Sequence, residues 1–206
     1  MPRKKQRKNP SSERARQVVA QEAARIIVNQ GIRDYRVAKI KAAERLGMNS
    51  RGSLPGNGEI ERALEEHHQL FGGESHGNFL RTIREAALSA MELLMPFTPR
   101  LVGPVLNGTA DHNSAVNLHV FADSPEMVAM RLQSVDIVAR PYERRLKSRR
   151  DRTDTFSGFE FHHGEATVQA TVFPVNGIRQ APLSPVDGRP MQRADSDQVR
   201  RLIQTQ

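Results

Sequence analysis

Between Ser114 and Phe121 the chain alternates strictly, with Val116, Leu118 and Val120 on one side and Ala115, Asn117 and His119 on the other. A strand imposes a period of two, because successive side chains leave opposite faces of its pleat. Such a run is expected to be half-buried, its apolar set on a core and its polar set facing a cleft or solvent. Any chemistry is therefore sought on the second set. Upstream, the short apolar run Leu101-Val102 enters Gly103, and Gly108 follows five positions later, which reads as a glycine turn ahead of the strand.

The order Gly103-x4-Gly108-x5-Ser114-x-Val116-x-Leu118 resembles the signature of the minimal nucleotidyltransferases, a branch of the polymerase-beta-like superfamily. That family carries a Gly-Ser pair on a turn, a second glycine, then Ser-Asp-hydrophobic-Asp-Leu on the next strand. Its two aspartates hold divalent metal beneath a nucleotide triphosphate. Here Pro104 stands at the family's serine, Ala115 at its first aspartate and Asn117 at its second. The spacing is kept and the chemistry is lost. What the resemblance implies is a nucleotidyltransferase-like domain whose nucleotide-binding positions are Gly103, Gly108, Thr109, Ser114, Asn117 and His119.

Magnesium takes hard oxygen ligands, above all carboxylates. Two-metal transfer needs anionic bridges holding two cations roughly 3.5–4 Å apart. Alanine supplies no ligand and asparagine a single neutral oxygen, so no metal site and no catalytic residue is assigned. Magnesium is expected only if an active enzyme uses carboxylates from elsewhere, such as Asp111 or Asp123. A glycine turn can still cradle phosphate with its backbone amides, which needs no carboxylate.

With 206 residues, 37% of them hydrophobic, the chain suits one medium domain or a domain with a helical extension. The net charge of +8 favours polyanions as partners. No apolar run approaches a membrane span, so no membrane partner is expected. The chain has no cysteine, which removes disulfides and thiolate metal sites and fits a reducing, cytoplasmic setting.

Residues 1–10, MPRKKQRKNP, form a basic tail with nothing to bury, either a nucleic-acid arm or a solubilising segment. Helices are expected from Ser11 or Ser12 to about Gln30, after Asp34 to Gly47, and from Asn57 to Gly72. A fourth is expected from Asn78 to Met95. These define a helical region, 11–96, that exceeds what the minimal fold needs and is a candidate surface for a protein partner. Beyond the strand, a helix opens at Pro125, and Ile137 to Lys147 reads as an edge strand because it contains Pro141. That strand runs into the densest internal basic run. Its Arg144, Arg145, Lys147, Arg149, Arg150 and Arg152 are candidate nucleic-acid contacts or, alternatively, a charged loop. Phe156–His162 and Ala166–Phe173 form a hairpin, with Thr167, Gln169 and Thr171 on the polar side and no carboxylate on the second strand. A short last helix begins at Asp195 or Ser196.

The expected architecture is α+β: a helical region, then a nucleotidyltransferase-like mixed sheet with flanking helices over 97–206. The functional expectation is a pseudoenzyme that binds a nucleotide or RNA without metal-dependent catalysis. The alternatives are an active nucleotidyltransferase using displaced carboxylates and a non-enzymatic DNA- or RNA-binding module.

Overall fold

The computed structural model describes residues 10–32, 34–48, 54–149 and 151–205. Residues 1–9 of the expected basic tail, residues 49–53 of the expected loop, and Arg150 lie outside them. The chain divides into two compact units between Gly72 and Gly73.

The first unit holds α1 (Pro10–Gln30), α2 (Tyr35–Arg45) and α3 (Asn57–Phe71). Asp34 caps α2 as its sequence position predicts, its carboxylate accepting from the backbone N–H groups of Arg36 and Val37. The core is rich in alanine. Ala20, Ala23 and Ala24 of α1 and Ala38, Ala42 and Ala43 of α2 are buried around Ile60 and Leu64 of α3, and such small side chains let helix axes approach closely. The buried carboxylate of Glu61 accepts a hydrogen bond from the Tyr35 hydroxyl, and burial raises the pKa of that phenol. Lys41 of α2 donates to Gln30 within the unit. Lys39 bonds the Pro55 carbonyl and Asn57, and Arg45 pairs with Glu22.

The second unit is a mixed sheet with helices on one face. Its elements are α4 (Gly73–Leu93), β1 (Arg100–Val102), the four-residue α5 (Pro104–Asn107), β2 (Val116–Phe121), α6 (Pro125–Gln133), β3 (Arg140–Arg149), β4 (Arg152–His163), β5 (Ala166–Phe173) and α7 (Ser196–Gln204). Among the described residues the five strands run in the order β1-β2-β5-β4-β3. β2 and β5 are parallel, and the other pairs are antiparallel. Val116, Leu118, Val120, Val168, Ala170, Val172 and Phe161 face the helices and share one core with Leu80, Ile83, Ala87, Met91, Val128, Leu132 and Val199. The sequence groups α4 with the first three helices, yet its apolar stripe lies in the sheet's core. It also starts at Gly73, five residues before Asn78, because Gly72 alone separates it from α3.

The segment after β5, residues 174–195, is a strap that ties both edges of the sheet. Ala194 exchanges backbone hydrogen bonds with Leu101 on β1, and the N–H of Leu183 donates to the carbonyl of Lys147 on β3 at 2.7 Å. Turn-rich composition marks the segment as irregular and gives no hint of this role.

Candidate functional site: a polar sheet face lined by arginines

The sheet face away from the helices carries Arg100 from β1, Asn117, His119 and Phe121 from β2, and Gln169, Thr171 and Phe173 from β5. It also carries Glu160 and Gly158 from β4, with Tyr142 and Arg144 from β3. The pairing registers set these positions side by side: Arg100 opposite His119, Asn117 opposite Gln169, Glu160 opposite Gln169, and Tyr142 opposite Gly158.

Arg144 is the centre of the arrangement. Its guanidinium donates to Oδ1 of Asn117 at 3.0 Å and to Oε1 of Gln169 at 2.5 Å, and it lies 5.4 Å from the centre of the Tyr142 ring. Gln169 in turn donates through Nε2 to Glu160 at 2.6 Å. A cation and a carboxylate are thus linked through a neutral amide, with no direct ion pair between them. The Tyr142 hydroxyl meets Thr171 Oγ1 at 2.8 Å, and burial raises the phenol's pKa.

His119 is not on an open cleft. It is 1% exposed, and Ala115 and Thr171 are buried with it. The expectation of a solvated polar side is corrected here, because the strap covers it. Arg193 donates from Nε to His119 Nδ1 at 3.0 Å and from Nη1 to the carbonyl of Gly177 at 2.9 Å, with its guanidinium 5.0 Å from both the Phe121 and Phe173 rings. A ring nitrogen that accepts this bond carries no proton. Burial, then Arg193 and Arg144, push the His119 pKa down to about 3. Burial and the nearby Arg100 bring Arg193 down to about 10. Among the described residues, none of Arg100, Arg144 and Arg193 has a carboxylate within ion-pair distance.

The glycine turn is a structural unit that engages three of its own amides. Gly103 adopts φ 75° and ψ −152°, a region essentially restricted to glycine. A Cβ there would approach Asn117 Nδ2 to 3.6 Å. The N–H of Asn107 bonds the carbonyl of Gly103, and those of Gly108 and Thr109 both bond Pro104. On the other side, Arg84, 5% exposed, donates to the carbonyls of Val105 and Leu106, and His76 meets the Gly108 carbonyl at 3.1 Å. Thr109 is buried. Ser114 closes a loop on Asp111, donating to its carboxylate while accepting from its N–H. Asp111 therefore serves its own turn, and Asp123 stands exposed beyond the end of β2.

The basic run divides by strand parity. Arg144 belongs to the polar face, whereas Arg145 and Lys147 are exposed on the opposite face of β3, and Arg149 is exposed beyond a bulge. Arg152, also exposed, pairs with Asp154 at 2.8 Å. The structure therefore unites Asn117 with Arg144, which the sequence places in separate sites. Gln169 was legible as a member of the polar face, but its role as a partner of Arg144 was not. Arg193 and Arg84 had no sequence signal, one lying in an aperiodic strap and the other being one more arginine on a helix. Among the described residues no group of three His, Asp or Glu is placed to hold a metal ion, and no helix is long and apolar enough to cross a membrane. Set against protein-family models, curated proteins and solved structures, the chain matches none.

Proposed function

We propose that the chain is a degenerate nucleotidyltransferase-like protein of the cytoplasm that binds a nucleotide or RNA without metal-dependent catalysis. The observation that carries this reading is the guanidinium of Arg144, held between the side chains of Asn117 and Gln169 on adjacent parallel strands. The strand order supports it too. A glycine turn leads from β1 towards β2, and β5 lies parallel beside β2 with Gln169 level with Asn117. In the family that Gly103–Leu118 resembles, carboxylates at such positions hold cations. Here neutral amides hold a cation that belongs to the chain. A guanidinium fixed in this way offers its charge and remaining N–H groups to a phosphate oxygen, for which its planar fork is well suited. The glycine turn, which lies against Asn117 at Gly103, acts by positioning that side chain. The helical unit is the part expected to meet a protein partner, and a cavity of about 360 Å³ there is lined by Val18, Leu46, Ala63, His67, Leu70 and Phe71 among others.

The test is calorimetric titration with ATP in the presence of EDTA. Binding should persist without magnesium, and Arg144→Gln should weaken it at least about tenfold, equivalent to about 1.4 kcal/mol. Asn117→Asp should weaken it as well, by neutralising Arg144, while leaving the melting temperature at or above that of the wild type. Binding that requires magnesium, or that ignores Arg144→Gln, would overturn the proposal.

A further inference from the structure

The β3–β4 hairpin extends well past the body of the sheet. β4 pairs with β5 only from Gly158 to His163, while β3 and β4 stay paired from Arg140–Glu160 to Arg149–Arg152. From Glu143 to Arg149 the hairpin is thus a two-stranded ribbon, about 20 Å long at ~3.4 Å per residue. On the helix side, packing on β4 reaches Phe161 and Phe159, and the same face of the ribbon beyond them is bare. It presents Arg145 and Lys147 on one strand and Thr153, Thr155 and Ser157 on the other, all exposed, and past a bulge after Lys147 the exposed Arg149 stands opposite Arg152 at the tip. The opposite side of the ribbon holds Tyr142, Arg144, Leu146, Asp154 and Phe156, all partly buried.

A ribbon needed only for solubility would gain from cross-strand pairs of opposite charge. This one has none on its bare cations. Thr155 stands opposite Arg145 and Thr153 opposite Lys147, and beyond the bulge Arg149 stands opposite Arg152, so like charges repel along the strand and across the tip, and among the described residues no carboxylate stands opposite them. Glu143 alone is acidic on that face, at its base. The bare face carries no aromatic side chain, which removes a stacking platform for single-stranded bases. Cations interleaved with hydroxyls suit a phosphate backbone. A two-stranded ribbon fits the major groove of B-form DNA, about 12 Å wide, whereas the deep and narrow major groove of A-form RNA excludes it.

We infer that the outer face of the β3–β4 ribbon, together with its tip, is a docking surface for double-stranded DNA, in which Arg145 and Lys147 on the face and Arg149 beyond the bulge contact phosphates. This inference does not depend on the nucleotide reading of the polar face. The experiment is fluorescence anisotropy of the full chain with a labelled 20-base-pair DNA duplex, its single strands, and an RNA duplex of the same sequence, over a series of salt concentrations. The wild type should prefer the DNA duplex. The triple variant Arg145→Gln, Lys147→Gln, Arg149→Gln should bind it at least about tenfold more weakly, with the log–log salt slope flattened by about 0.9 for each phosphate no longer neutralised. A second variant, Thr153→Glu with Thr155→Glu, supplies the missing cross-strand carboxylates and should abolish duplex binding while the melting temperature holds or rises. ATP binding should be unchanged in both. An unaltered salt slope in the triple variant, duplex binding that survives the two glutamates, or a wild-type preference for single strands or duplex RNA would each overturn the inference.

Discussion

His119 is the residue where a charge state is most tightly written into the fold. Its ring is buried, and Nδ1 must stay unprotonated to accept from Arg193. The native pKa of about 3 lies far below the ordinary imidazole value near 6.5. The unfolded chain therefore takes up a proton below about pH 6.5 that the native chain refuses. The stabilising effect is complete above pH 6.5 and declines as pH falls towards 3, with a limiting slope of about 1.4 kcal/mol per pH unit. Urea unfolding of the wild type and of His119→Gln at pH 7, 5.5 and 4.5 should show the two stabilities converging on acidification. Parallel profiles would place the proton elsewhere. The alternation of residues 115–120 shows which side His119 takes, but not that a distant segment covers that side. A period of two sorts side chains between faces without saying what lies above them.

At the scale of elements, the hydrophobic pattern was readable wherever an element buries one side only. The faces of β5 and the apolar stripe of α4 follow from periodicity, and the caps Asp34 and Asp195 from short polar side chains ahead of apolar runs. The basic segment 143–152 was harder, because charges alternating with charges hide the period of a ribbon exposed on its outer side. Its departure from the sheet is fixed by Gly158. A Cβ there would lie 2.4 Å from Tyr142 Cζ and 2.8 Å from the carbonyl oxygen of Ala170. The ring of Tyr142 thus packs directly on the β4 backbone where the ribbon leaves β5. Gly158→Ala should cost about 1–3 kcal/mol in thermal or urea unfolding, since backbone and ring cannot both yield cheaply. A neutral effect would mean that the tyrosine swings away, and the Tyr142–Thr171 hydrogen bond would be lost with it.

For the whole molecule, two separate cores imply two separable stabilities. Ile60 sits in the alanine-rich core of α1–α3, and Met91 lies under the sheet. Truncating either to alanine should cost about 2–5 kcal/mol, in its own unit. Hydrogen exchange followed by mass spectrometry should therefore accelerate in α1–α3 for Ile60→Ala, and in α4 and the strands for Met91→Ala. Acceleration spread evenly over both units by either change would show a single cooperative body. That helices precede strands was legible in the sequence, but the point where the chain passes from one core to the other was not. It depends on which core claims α4, and an amphipathic stripe does not name its partner.

The strap bonds Leu101 at one edge of the sheet and Lys147 at the other, and it follows every strand in chain order. During synthesis all five strands leave the ribosome before the residues that close their rims. For that interval β1 and β3 present unpaired N–H and C=O groups, which other nascent chains can join. A polysome would hold neighbouring copies at this stage close together, so the length of the pause before residues 183–194 emerge sets the window for misassembly. Synonymous codon changes that slow translation across 174–195 should lower the soluble yield of an unchanged protein.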